Sequence, residues 1–224
     1  MSACQPRLAT TPAPGCLDSP IIEASTEMPA ALGSSEVVRD AHQLLLETHG
    51  GQRQKVNGHP YVEHPMLVAT DVATEGFESE MVAAALLHDI VEDSDVTVEE
   101  LRERFGDRVA DLVDVMTDTA EVSDYERRKE IHRRRVSAAG PEAAAIFAAD
   151  KLNNVRALRA AYEVDGEEVA QRFNQPLDVK LCVWVADVEF VSGHAAAVPY
   201  AQTLSDEVAG LQEDRLKPPR PRRG

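Results

Sequence analysis

The sequence is poor in aromatic side chains, at 4% of residues, and it lacks long apolar runs. No stretch approaches the ~18 consecutive apolar residues of a membrane span. The N-terminus has no basic segment leading into an apolar core, which argues against a secretion signal. Positive charge is also scarce. The formal net charge of −16 disfavours a general nucleic-acid or anionic-membrane binder, because both surfaces attract cationic proteins. A small anionic substrate would need local help from a metal or a basic cluster. Three cysteines, Cys4, Cys16 and Cys182, are odd in number and have no ligand-like spacing. They imply neither a disulfide framework nor a cysteine zinc site, and a reduced, cytoplasmic setting is expected.

What is present points to helices. Hydrophobic residues make up 43% of the chain, many of them alanine, which suits helices packed through small side chains better than a β sandwich. At 224 residues the chain is long enough for one good core with appendages. It carries no signal of oligomeric state and no internal repeat.

Along the chain, residues 1–34 mix Pro6, Pro12, Pro14, Pro20 and Pro29 with small polar residues and read as a disordered leader. Order is expected to begin at Ser35, an N-cap candidate. Val37, Val38, Ala41, Leu44 and Leu45 then spell an amphipathic helix that stops at Gly50-Gly51. A loop with an Asn57-Gly58 turn leads into a helix whose first turn holds His64 and Pro65. Thr97 and Glu100 form a capping-box signature, and Gly106 separates two short helices. Residues 125–139 form a helix carrying Arg127, Arg128, Lys129, Arg133, Arg134 and Arg135. That helix is either a basic rim for an anion or a solvated face paired with acidic neighbours. Gly140-Pro141 breaks the chain before a largely buried helix that holds Asp150 and, one turn on, Asn154. Residues 179–191 are apolar and fit helix better than strand, and residues 199–211 form a last helix. The expected divisions are a leader at 1–34, a main domain at 35–165, C-terminal helices at 166–212 and a disordered basic tail at 213–224.

The chain is organised around residues 81–93, MVAAALLHDIVED. Read as one helix at about 100° per residue, His88, Asp89, Glu92 and Asp93 share an arc of ~140° while aliphatic residues take the rest. Carboxylates crowded beside a core need protons or a cation to offset their charge. Adding His64 and Asp150 gives two imidazoles and two carboxylates, a set that suits Mn²⁺, Fe²⁺, Co²⁺ or Zn²⁺ better than an all-oxygen Mg²⁺ or Ca²⁺ cage. A lone His-Asp pair is usually an ordinary core or surface pair. His64 alone would read as a loop histidine, and Asp150 alone as half of a helix ion pair.

The order His64, His88-Asp89, Asp150 resembles the all-α HD superfamily of metal-dependent phosphohydrolases. More narrowly, HPYVEHPMLVA, AALLHDIVEDSDVTVEELRERFGDRVADLVDVMT and AADKLNNVRAL resemble the hydrolase domain of RelA/SpoT-type alarmone enzymes, over roughly residues 35–160. The resemblance implies an HD-domain helical fold and Mn²⁺-dependent hydrolysis of the 3′-pyrophosphate of guanosine tetra- or pentaphosphate. It implies His64, His88, Asp89 and Asp150 as metal ligands, Glu92 and Asp93 as the water-activating pair, and Arg53, Lys55 and Asn154 as substrate contacts. The partner implied is a small nucleotide, with no nucleic acid and no membrane. Several positions depart from the family pattern, among them Lys151, Asn153 and Val155 where Arg, His and Met are typical, and two bear on the nucleotide. Lys55 stands where an arginine usually meets the guanine base, with Arg53 nearby, and Ala157 replaces a threonine. These leave room for another nucleotide, such as an adenosine alarmone, a deoxynucleotide or a dinucleotide cofactor phosphate, or for a non-catalytic nucleotide-binding regulator. Nothing after residue 160 resembles a nucleotidyl-transfer site, so a stand-alone hydrolase is expected.

Overall fold

The computed structural model describes residues 27–118, 122–194 and 199–217, and among these it contains helices and turns but no strand. Helix α1 (Glu36–His49) begins after Ser35 and ends at Gly50, burying Val38, Ala41 and Leu45 on one face. A tight loop follows, closed by Gln54 N–H donating to His59 O at 2.8 Å and Tyr61 N–H to Gln52 O at 2.9 Å. It delivers the chain into α2 (Glu63–Thr74), where Pro65 occupies the first turn and needs no N–H partner.

Helix α3 (Ser79–Leu86) is the centre of the molecule. All six residues from Met81 to Leu86 are buried, and the helix packs against α1, α2 and α6. A helix apolar all round belongs in a core, and Ala83, Ala84 and Ala85 let its neighbours approach closely. Each fully buried Leu or Met contributes about 1.5–3 kcal/mol. A leucine at Ala84 would cost about 1–3 kcal/mol through overpacking.

The expected single helix over 81–93 is not found. It stops at Leu86 and, after a turn at residues 87–89, resumes as the short α4 (Ile90–Asp93). The turn is tightened by Leu87 N–H to Ala83 and Ala84 O and by Ile90 N–H to Leu87 O. Helical periodicity cannot register a break of this kind, because residues on both sides remain apolar at helical spacing.

Helix α5 (Val98–Phe105) starts with the capping box: Glu100 N–H donates to Thr97 Oγ1 at 3.2 Å, and Thr97 N–H to Glu100 Oε2 at 2.7 Å. Gly106, at φ +87°, takes a left-handed conformation costly for other residues and turns the chain into α6 (Asp107–Met116). Helix α7 (Tyr125–Ala139) is capped by Asp124, and Gly140 at φ +100° leads into α8 (Pro141–Asp165) with proline at its first position. Helix α8 buries Ala143 through Asn153 without a gap, polar residues included. A 3-10 segment (Gly166–Arg172), α9 (Leu177–Ser192) and α10 (Ala201–Leu216) complete the chain. The apolar 179–191 stretch is therefore helix.

Two expected boundaries shift. Residues 30–32, assigned to the leader, form a 3-10 turn whose Leu32 is buried and which packs on α2. Residues 213–216, assigned to the tail, close α10. The rest of the leader, with Cys4 and Cys16, and residues 218–224 lie outside the described residues. No described helix is long and apolar enough to cross a membrane.

Candidate metal centre

The break after Leu86 shapes the site. His88 Nδ1 lies 2.8 Å from Ala85 O, so Nδ1 carries the proton and donates it. That tautomer leaves the Nε2 lone pair pointing away from the helix. His88 Nε2 then faces Asp89 Oδ2 at 3.1 Å and Asp150 Oδ1 at 3.7 Å. From α2, His64 Nε2 reaches Asp150 Oδ1 at 3.2 Å and Asp89 Oδ2 at 3.8 Å. The two imidazoles stand edge to face with centroids 5.2 Å apart. One ligand atom each from His64, His88 and Asp150 lie within 4.8 Å of one another.

The chemistry of this cluster is incomplete without a cation. Carboxylates only accept hydrogen bonds, and a neutral Nε2 does the same. His88 Nε2 is buried, near two carboxylates, yet makes no hydrogen bond. Acceptors facing acceptors repel unless a proton or a metal sits among them. In the metal-free cluster protons take that part. Burial opposes a charged His88, but Asp89 and Asp150 outweigh it and hold its pKa well above the usual imidazole range. Asp150 is buried too, yet Lys151 and the two imidazoles keep it well below the usual carboxylate range. His88 overcomes burial to lower Asp89 in the same way. Two imidazoles and two carboxylates with an uncommitted buried nitrogen fit a divalent ion of the borderline class.

Helix α8 braces the aspartate from its own length. Asn154 Nδ2 donates to Asp150 Oδ1 at 2.5 Å, and Lys151 Nζ to Asp150 Oδ2 at 2.6 Å. Both carboxylate oxygens are thus fixed, in the way outer partners orient metal ligands. Asn154 was expected as a substrate contact, and the structure places it against Asp150.

The other expected residues are less uniform. Glu92 and Asp93 are exposed rather than buried, so the idea of three carboxylates packed side by side in the core is corrected. Glu92 Oε2 accepts Asp118 N–H at 3.3 Å; although the residue as a whole is exposed, protein atoms crowd its carboxyl and partly desolvate it, and this with the nearby Asp89 raises its pKa against the pull of Lys129. Asp93 Oδ2 accepts the Tyr61 hydroxyl at 2.5 Å. Tyr61 is itself stacked on buried His49, with centroids 4.6 Å apart. Sequence reasoning missed Tyr61, although it sits in the HPYVEHP block. The Arg53 guanidinium donates to Gly58 O at 2.9 Å and Lys55 is exposed. Neither is brought to the metal cluster.

The basic helix α7 spends most of its charge on the fold. Arg127 and Arg134 both bind Glu130, Arg133 meets buried Asp187 at 2.7 Å, and Arg135 donates to Thr117 O at 2.8 Å. Arg128 and Lys129 grip Asp118 at 3.0 and 2.7 Å. Of these, Lys129 lines a cavity of about 140 Å³ that also receives Lys151, Asn154 and Lys180.

Residues 41–175 match the HD domain family. The chain is 36% identical to the guanosine-3′,5′-bis(diphosphate) 3′-pyrophosphohydrolase of Aquifex aeolicus, over 67% of this chain and 22% of that protein. It is 38% identical to the enzyme of that name, MESH1, of Danio rerio, over 56% of this chain and 71% of that one. The chain spans about a quarter or less of the length of the bacterial relatives it matches. A solved structure, described as a metazoan ortholog of SpoT that hydrolyzes ppGpp and plays a role in starvation responses, superposes with a TM-score of 0.62 at 26% identity. It covers 81% of this chain and 97% of that one. A Listeria monocytogenes structure gives a TM-score of 0.61 at 29% identity, over 70% and 99%.

Proposed function

The chain belongs to the HD-domain family, and from that premise we propose that it hydrolyses the 3′-pyrophosphate of guanosine tetra- or pentaphosphate. The products are pyrophosphate and GDP or GTP. The observation that carries this reading is the meeting of His64, His88, Asp89 and Asp150 with His88 Nε2 left uncommitted. More than half of the chain is shared with each of two proteins named for that reaction.

These four residues would hold a divalent cation, and Mn²⁺ is the ion we favour for a mixed imidazole and carboxylate set. Such an ion supplies Lewis acidity to a phosphoryl oxygen and to the attacking water. The chain does the rest. Asn154 and Lys151 fix both oxygens of Asp150, so its orientation is set before substrate arrives. Glu92, one turn past His88 and with a raised pKa, accepts the proton of the attacking water, since a base works best when its pKa approaches the working pH. Asp93, held by the Tyr61 hydroxyl, supports Glu92 and passes the proton toward the departing 3′-oxygen of the nucleoside, which must gain one as its bond to phosphorus breaks. We place the activity in the cytoplasm, the setting in which a free, exposed thiol such as Cys182 persists.

The test is incubation of chelator-stripped protein with ppGpp, with and without added Mn²⁺, following products by anion-exchange chromatography. GDP and pyrophosphate should appear only with metal. A second reading keeps the chemistry and changes the base. Arg53 is bound to Gly58 O, and Lys55 stacks on a purine face less well than a planar guanidinium, so neither selects guanine strongly. A panel of adenosine alarmones, deoxynucleotides and dinucleotide cofactors separates the two, and equal or faster turnover of a non-guanine compound would move the assignment there.

A further inference from the structure

Three ammonium groups converge on the cavity beside Asp150, and they are not equivalent. Lys129 is paired with Asp118 at 2.7 Å and Lys151 with Asp150 at 2.6 Å. The carboxylate on the cavity wall, Asp187, is taken by Arg133 at 2.7 Å. Lys180, from α9, has no carboxylate within ion-pairing distance among the described residues. Its Nζ instead lies over three rings, 4.6 Å from the centroid of Phe173, 5.3 Å from Trp184 and 6.0 Å from Tyr125. Cation–π contacts of this kind offset part of the desolvation of an ammonium. They do not offset repulsion from two like charges.

We propose that this cavity is a phosphate site in which Lys180, with Lys129 and Lys151, receives one phosphate or pyrophosphate group. The rings cannot serve as a stacking platform for a base, because the Lys180 ammonium already lies over them. A volume of about 140 Å³ suits a single small group, well below the ~300 Å³ or more of a pocket for a whole drug-sized ligand. Burial and the neighbouring Lys129 and Lys151 push the Lys180 pKa down to about 8, a strain that a bound anion relieves. Lys180 and Trp184 lie beyond residue 175, where the match to the family ends. That the phosphate belongs to a nucleotide rests on the hydrolase reading, whereas binding of the inorganic anions does not.

The test is calorimetric titration of phosphate and of pyrophosphate into the metal-stripped full chain, comparing wild type with Lys180→Met and Lys180→Arg. Loss of one charge-assisted contact should weaken binding about tenfold or more in K180M, and K180R should restore most of it. Equal binding by wild type and K180M, or no binding of either anion to wild type, overturns the proposal. Methionine keeps an apolar stem over the rings, so the Tm of K180M should hold or rise. A lower Tm with unchanged anion binding would assign Lys180 to the fold alone and also overturn it. Kinetics with ppGpp then identify the source. A KM that rises more than kcat falls puts a phosphate of the substrate in the cavity, and relief of pyrophosphate inhibition at unchanged KM puts the product there. Anion binding that depends on Lys180 in a protein that fails to cleave ppGpp would refute the proposed function and leave the phosphate site standing.

Discussion

The charges of α7 and those of the metal cluster show two ways of keeping ions beside a core. On α7 the cations find carboxylates or carbonyl oxygens of their own, such as Arg133 with Asp187 and Arg135 with Thr117 O. Around Asp150, groups of one kind face each other: two carboxylates and two imidazole nitrogens, with one buried nitrogen making no hydrogen bond. Charges that satisfy one another hold a structure together. Groups left facing their own kind need something from outside, and their position shows what it is. Lys180 repeats the second pattern with the opposite sign, which is why an anion is expected there and a cation at Asp150.

The sharpest way to break this comparison is Asp150→Ala. It should abolish tight Mn²⁺ binding and lower hydrolysis by ~10³-fold or more, since several kcal/mol of charge stabilisation are lost. It also strands Lys151, buried beside it, at a cost of about 3 kcal/mol visible as a lower Tm in chelator-treated protein. Normal metal content in the variant would show that the cluster is not the metal site.

Glu92→Gln comes next. It should leave metal content unchanged while lowering kcat by ~10²–10⁴-fold, the range of a general base. Unchanged turnover would remove Glu92 from the mechanism.

A smaller effect concerns pH. His132 is buried, neither ring nitrogen has a hydrogen-bond partner among the described residues, and burial with Lys151 and Lys129 pushes its pKa down to about 3. The folded state therefore binds this proton less readily than the unfolded chain. Its contribution to stability is complete above pH 6.5, the ordinary imidazole value, and falls as pH drops toward 3, by about 1.4 kcal/mol per pH unit. Denaturant melts at pH 7, 6 and 5 should show this slope in wild type and a shallower one in His132→Leu. Identical slopes would mean that His132 does not carry the acid sensitivity.

At the small end, Arg134→Ala removes an exposed contact to Glu130 within α7. It should change neither Tm nor kcat measurably, because exposed pairs contribute little. A loss of activity would return α7 to the role of a substrate rim.

Much of this was legible in the chain because the signals are local. The capping box of Thr97 and Glu100, the stops at Gly50 and Gly106, the span 125–139 and the Pro141 start of α8 all depend on neighbours a few residues away, and each appears in the structure. The four residues proposed to hold a metal stand out because polar side chains in apolar blocks are conspicuous by residue type, and the structure brings each imidazole within 3.8 Å of both carboxylates. The helix break at 87–89 was not legible, since Leu87 and Ile90 keep the helical pattern. Glu92 and Asp93 were expected against the core, whereas the structure leaves both exposed.

By itself, then, the sequence determined an all-helical chain and the residue types able to hold a divalent ion in it. Only the tertiary structure decided which charges meet. Asp187 takes Arg133 from 54 residues away, Asp118 takes Lys129, and Lys180 is left over the rings of Tyr125, Phe173 and Trp184. Pairing depends on distances of a few ångströms between side chains of separate helices, and neither composition nor periodicity encodes those distances.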